Sequence, residues 1–332
     1  MAYESLFIAN SAYSLYLYLL LRPDLINKTL FLCGPAIADN DLPHKINLDL
    51  SDKTQEEAKN YQEFLLRKVK HELRGKRVPC YANLVTPYAS GFLGKYPVYA
   101  LSDGLGDATL FPKYLTDERI AGCYATDLGN SWENEGAGYG KLKVVNPIGL
   151  WHQKTQDEQE NIQAVFGIDR NTLNILRQKK VILLTQPLSE DGIVSEDDKV
   201  RLYRSIVGKY NTSDIVIKPH PREKTDWATL FPTVPVISRR MPAEALAATV
   251  NLKRVVTFFS TGAFHMATPD KIDIYSKDFR HLVFSHPNKK MGRMPYLDIE
   301  KVYGKKPFNW KRISDATFYR DYPYKQFAKT RE

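Results

Sequence analysis

Short runs of apolar residues alternate with longer amphipathic stretches along this chain, the order that parallel strands joined by helical crossovers require. The runs fall into two series. Residues 6–9, 29–33, 45–50, 81–85, 98–101 and 142–145 form the first, and residues 181–185, 215–218, 234–237, 254–259 and 281–284 the second. Each series predicts its own sheet, so the chain reads as α/β in two lobes. Its 332 residues also exceed the size, roughly 250–300 residues, at which a single hydrophobic core stops growing. Residues 151–180 are polar, with a helical second part, and serve as the connector. The expected division is a first domain over 1–155, a second over 156–304, and an aromatic, basic segment over 305–332 that packs back across the lobes.

Helix starts are legible. Ser11 can cap a helix after the first strand. Val200, Tyr203, Val207 and Tyr210 recur at helical offsets and predict a helix over 196–210. Ser195 followed three residues later by Asp198 resembles a capping box, which gives Asp198 a structural task.

Composition narrows the class. Hydrophobic residues at 43% and charged residues at 26% exclude a disordered or fibrous chain. Lys and Arg exceed Asp and Glu by 47 to 38, and the resulting +9 favours anionic partners: nucleotides, phosphosugars, nucleic acid or acidic lipid. Cys33, Cys80 and Cys123 give neither a disulfide framework nor a zinc pattern, which suits a reducing compartment. The apolar stretch 12–21 has no basic lead or cleavage site and is about half the roughly 20 residues that span a bilayer, so a cytoplasmic location is expected.

The most specific string is Lys218-Pro219-His220-Pro221-Arg222-Glu223, at the end of a strand. Strand ends feed the ligand crevice of open α/β sheets, and two prolines fix the backbone on both sides of the imidazole. Lys218 and Arg222 suit a phosphate. The plainer reading is a loop histidine bonded to backbone. In Thr185-Gln186-Pro187-Leu188-Ser189-Glu190-Asp191-Gly192 polar residues again follow a strand; Asp191 can accept a proton from a hydroxyl, or the Asp-Gly pair simply makes a turn. Ser102-Asp103-Gly104 offers an acidic loop from the first half, with the same alternative. Glu244, after Pro242 at a helix start, can bind ribose hydroxyls or only complement the helix dipole. Ser260 and Thr261 suit phosphate at a helix N-terminus, or a plain cap. P-loop, GxGxxG, HExxH and GxSxG motifs are missing from the sequence. His281 and His286 are spaced as metal ligands can be, but no cysteine or acidic cluster accompanies them.

Thr185-Gln186-Pro187, Lys218-Pro219-His220-Pro221-Arg222-Glu223, Pro242-x-Glu244 and Ser260-Thr261, in that order, resemble glycosyltransferase family 52, the bacterial lipooligosaccharide sialyltransferases. The likeness is densest over 181–263. It implies a GT-B architecture, two Rossmann-like domains facing a central cleft, with CMP-sialic acid bound mainly by the second. The implied reaction is inverting, metal-independent transfer of sialic acid to a terminal galactose of a lipooligosaccharide or surface glycan, with no cofactor. His220 would stabilise or protonate the leaving phosphate, Glu244 hold the ribose, and Ser260 with Thr261 the phosphate; Gln186, Lys218, Pro219 and Arg222 would line the donor site. For the base, Glu190-Asp191-Gly192 matches the acidic-acidic-Gly motif by letter, which favours Asp191. Ser102-Asp103-Gly104 matches it by placement, and Asp198 is a third candidate. A homodimer and a peripheral contact with the inner membrane through basic stretches 67–77 and 301–311 fit the same picture. The competing readings are a GT-B transferase using another nucleotide sugar and a protein that binds nucleic acid or an anionic surface. Against the latter, the basic residues are spread along the chain.

Overall fold

The structure, a computed structural model, describes residues 2–103, 111–126, 140–250, 252–260, 262–276 and 309–321. The chain divides into two compact units, Met1–Ile168 and Asp169–Glu332.

The first unit is a seven-stranded sheet with order β3-β2-β1-β4-β5-β6-β7. Its strands are β1 (Ser5–Ala9), β2 (Thr29–Cys33), β3 (Lys45–Asn47), β4 (Cys80–Ala82), β5 (Val98–Leu101), β6 (Ile120–Thr126) and β7 (Leu142–Val145), all parallel. β1 and β2 are buried at every position, as strands covered on both faces must be. Helix α1 (Ala12–Leu21) starts at Ser11, whose Oγ accepts the Ser14 N–H, and is buried at nine of its ten positions, so it lies inside the unit rather than on its surface. α2 (Gln55–Glu72) begins with a Thr54–Glu57 capping box. α3 (Phe111–Thr116), α4 (Pro147–His152) and α5 (Gln156–Val165) are its other α-helices among the described residues.

The division falls after α5, later than the expected boundary at 155. Tyr16 of α1 meets Trp151 and Phe166 at ring distances of 6.4 and 6.1 Å, and Asn40 Nδ2 donates to the Val165 carbonyl at 3.2 Å. These contacts tie the stretch to the first unit. The strand β6 was not expected. Its sequence is broken by Gly122, where a Cβ would come 3.0 Å from the Tyr99 ring, so the small residue that packing demands also removes the apolar pattern.

The second unit has a five-stranded parallel sheet with order β12-β11-β10-β8-β9. The strands are β8 (Val181–Leu184), β9 (Ile215–Lys218), β10 (Arg254–Thr257), β11 (Ile272–Ile274) and β12 (Asn309–Trp310). Its helices are α6 (Arg170–Gln178), α7 (Glu196–Val207), α8 (Trp227–Leu230), α9 (Ala243–Thr249), α10 (Ala263–Met266) and α11 (Ala316–Asp321). Ser195 caps α7, as the sequence predicts, but the helix ends at Val207 and not at Tyr210. The expected strand at 234–237 is only a single bridge from Val236 to Ile217, because Pro235 has no N–H to extend a ladder. Phe318 of α11 is buried in the core of this unit with Tyr203, Trp227 and Ile313, so the described part of the C-terminal segment belongs to the second unit. The expected strand at 281–284, with His281 and His286, lies outside the described residues. Among the described residues no helix is long and apolar enough to cross a membrane.

Candidate active site

In the second unit, register places Leu184 of β8 level with Lys218 of β9 and Thr257 of β10. The residues that follow, Thr185–Gln186, Pro219–His220 and Phe258–Ser260, therefore leave the sheet along one carboxyl edge. The strand order reverses at β8, between β9 on one side and β10 on the other, and such switch points are where open α/β sheets take ligands. Sequence-predicted Gln186, Lys218, Pro219, His220 and Ser260 are brought together on this edge.

The loop after β9 is held by a buried charge network. Glu223 is fully buried; its Oε2 accepts the His220 backbone N–H at 2.7 Å and the Thr185 hydroxyl. Its Oε1 faces Lys199 Nζ at 3.2 Å. Lys199, also fully buried, pairs with Glu190 Oε2 at 2.7 Å, and Glu190 accepts the Lys224 N–H at 2.6 Å. Burial pushes the Glu223 carboxyl up, whereas Lys199 and backbone donors outweigh burial at Glu190 and bring it down to about 2. Arg222 reaches across to Asp191 with both terminal nitrogens, at 2.5 and 3.0 Å. Glu190 and Asp191 therefore clamp this loop, and both oxygens of Asp191 are occupied by the guanidinium.

The His220 ring accepts the Arg222 N–H on Nδ1 at 3.2 Å. Burial, with Arg222 and Lys218 nearby, brings its pKa down to about 3. Lys218 is buried and donates to the Pro219 carbonyl; burial brings it to about 8 against the pull of Glu223 and Glu244. Gln186 is anchored by its backbone N–H on Tyr203 Oη at 2.7 Å.

A second cluster forms where α9 and α10 begin. Glu244 Oε1 lies 2.9 Å from His265 Nδ1. A Cβ built on Gly262 would sit 3.5 Å from Glu244 Oε1 and 3.5 Å from Ser260 Oγ, so a glycine is what leaves these two groups facing a shared space. Thr261 lies outside the described residues.

Asp198 and Asp103 are the other base candidates. Asp198 donates its N–H to Ser195 Oγ and accepts from Arg201 at 2.8 Å, the arginine that also holds Asp321. Asp103 follows β5 in the first unit, next to Ser102, whose carbonyl accepts from Ser14 Oγ at 2.9 Å; Gly104 lies outside the described residues.

Lys199, Glu223 and His265 carry no role in the sequence reading. One signal was present: the buried stripe of α7 runs through Lys199, Leu202, Tyr203 and Ile206, and a cation on an apolar stripe requires a buried acid.

Residues 137–278 match the family model of glycosyltransferase family 52, a span that takes in the whole β8–β10 edge. An uncharacterized protein of Haemophilus influenzae is 45% identical over 136 residues, 41% of this chain and 44% of that protein, so the match spans less than half of the curated relative's length. A 2,6-sialyltransferase of Photobacterium sp., solved with CMP and lactose, superimposes with a TM-score of 0.60 at 11% identity over 92% of this chain and 78% of that one. The shared fold is GT-B, built from two Rossmann-like units.

Proposed function

We propose, from the premise that residues 137–278 belong to glycosyltransferase family 52, that this chain transfers sialic acid from CMP-sialic acid to a terminal galactose of a lipooligosaccharide or surface glycan. The observation that carries the reading is His220, fixed at the end of β9 on the switch-point edge with Glu244 and Ser260 facing a shared space on the β10 side. Departure of CMP leaves charge on its phosphate as the sugar passes through an oxocarbenium-like state. A donor already oriented at that phosphate stabilises the transition state more than the ground state. In this reading His220, Ser260 and Thr261 face the phosphate, Glu244 holds the ribose hydroxyls, and Gln186, Lys218, Pro219 and Arg222 shape the pocket.

The acceptor hydroxyl loses its proton to a carboxylate. Asp191 fills that role once donor binding draws Arg222 to the phosphate and releases its oxygens; Asp103 is the alternative from the first unit. The reaction inverts the anomeric centre, needs no metal, and takes place on the cytoplasmic side, with a peripheral contact at the inner membrane supplied by basic stretches such as 67–77. The structural neighbour solved with CMP and lactose supports this choice of donor and acceptor class. Incubation with CMP-sialic acid and lactose should give sialyl-lactose at equal rates with and without EDTA. Thermal stabilisation by UDP or GDP but not CMP, with no product, would overturn the assignment.

A further inference from the structure

The turn after β9 specifies where the His220 ring carries its proton. Nδ1 accepts the Arg222 N–H at 3.2 Å. An accepting nitrogen carries no proton, so the ring proton sits on Nε2, and a second proton on Nδ1 would set N–H against N–H. The backbone around the ring is fixed as well. Glu223 Oε2 accepts the His220 N–H at 2.7 Å, and the Glu223 N–H donates to the His220 carbonyl at 3.0 Å, a reciprocal pair that closes the turn. The Glu223 carboxylate has no exposure and is itself oriented by Lys199 at 3.2 Å, which is braced on Glu190 at 2.7 Å. Burial opposes an imidazolium, and so do the charges of Arg222, Lys218 and Lys199, with only Glu190 acting the other way.

We propose that Glu223, anchored by Lys199, is a positioning residue that holds His220 as a neutral Nε2–H donor, so that the imidazole stabilises the departing phosphate without giving up its proton. The inference rests on the sialyl-transfer reading for the identity of that phosphate. In the step it describes, the bond from the anomeric carbon to the phosphate oxygen breaks and its electron pair stays on that oxygen. The acceptor oxygen forms the new bond, its proton passes to the carboxylate base, and CMP leaves with its full negative charge hydrogen-bonded to Nε2–H. Glu223 reaches no reacting atom in this scheme; it acts through the loop.

The test is long-range proton–nitrogen NMR of the full chain labelled at histidine, with the His220 signals assigned by their loss in His220→Asn. Between about pH 5.5 and 8, where an ordinary histidine titrates, His220 should keep a bare Nδ1 and a protonated Nε2. Glu223→Gln, which retains an acceptor for the His220 N–H, should keep the tautomer. Glu223→Ala should lose it, mix tautomers and titrate, and its kcat should fall about tenfold or more while the KM for CMP-sialic acid moves less than about threefold. An Nδ1–H tautomer or an imidazolium at neutral pH in the unaltered chain overturns the proposal. So does an unchanged His220 signal in Glu223→Ala, which would leave Glu223 a packing role only. If Glu223→Ala does not fold, the unaltered chain and Glu223→Gln decide the question. Added CMP should shift the Nε2–H resonance; no shift, with the tautomer as described, removes the sialyl-transfer reading and leaves the proton placement standing.

Discussion

Replacing Lys199 by Met isolates the charge that braces the β9 loop. The side chain is fully buried, with its ammonium 2.7 Å from Glu190, 3.2 Å from Glu223 and 5.7 Å from the centre of the Trp227 ring. Methionine keeps most of the stem volume, so the packing loss is small and the change is mainly electrostatic. Removing one partner of a buried pair costs about 3–5 kcal/mol, because the other charge stays behind without compensation. In a unit of this size each kcal/mol moves the melting temperature by about 2–4 °C, so a fall of about 6–20 °C is expected by scanning calorimetry. The pH dependence carries the sign. Burial already raises the Glu223 carboxyl, and loss of Lys199 removes a group that holds it down. An acid whose folded pKa lies above its unfolded value favours folding below the unfolded pKa, and that advantage disappears as pH rises through the folded pKa. The deficit of Lys199→Met should therefore grow from about pH 5 to about pH 8 as Glu223 ionises, above a constant part from Glu190, whose carboxylate is charged throughout that range. The double variant Lys199→Met/Glu223→Gln, with no buried charge left at Glu223, should lose that pH dependence and recover the Glu223 part of the loss. A deficit that does not change with pH, or a double variant as unstable as the single one, would refute the reasoning.

His220→Ala should lower kcat by a factor of about 10²–10³, the cost of one oriented donor, while CMP affinity by calorimetry barely changes; equal losses would assign the ring to binding alone. Gly262→Val should weaken CMP binding by about tenfold, because its side chain enters the space between Glu244 Oε1 and Ser260 Oγ, and should lower the melting temperature as well, because its Cβ meets the Ala243 Cβ at 3.2 Å. Lys218 titrates at about 8, so affinity for CMP should fall as pH rises through that value, and Lys218→Met should bind more weakly at pH 7 without that fall. Ser195→Ala removes the cap of α7 and should cost about 1 kcal/mol in urea unfolding with catalysis intact.

What the chain determines on its own is local. The apolar runs of β1, β2, β5, β8 and β9 are read at once, since a strand largely buried on both faces needs no partner to be recognised in sequence. Ser11 and Ser195 mark helix starts because a cap bonds to a backbone N–H three residues on. The Pro-His-Pro string fixes its own backbone, which is why His220 stands out as a residue worth placing. Strands interrupted by a glycine or a charge, such as β6 and β11, are hidden. β11 carries Asp273 at its centre, acceptable because Arg254, Asn309 and Tyr210 each meet it at 2.8 Å.

The partners of the site residues came only with the tertiary structure. Strand order sets β8 between β9 and β10, and this brings Glu190 and Asp191 from one loop against Lys199 and Arg222 from elsewhere in the chain. In sequence Asp191 reads equally as a base or a turn, and Glu223 as the last letter of a motif. Folding pairs the first with a guanidinium and buries the second against an ammonium. Backbone sterics and periodicity act over a few residues and are written along the chain. A charge buried beside its counter-charge from another element exists only once the sheet has ordered its strands, and that is where the protonation of the histidine is decided.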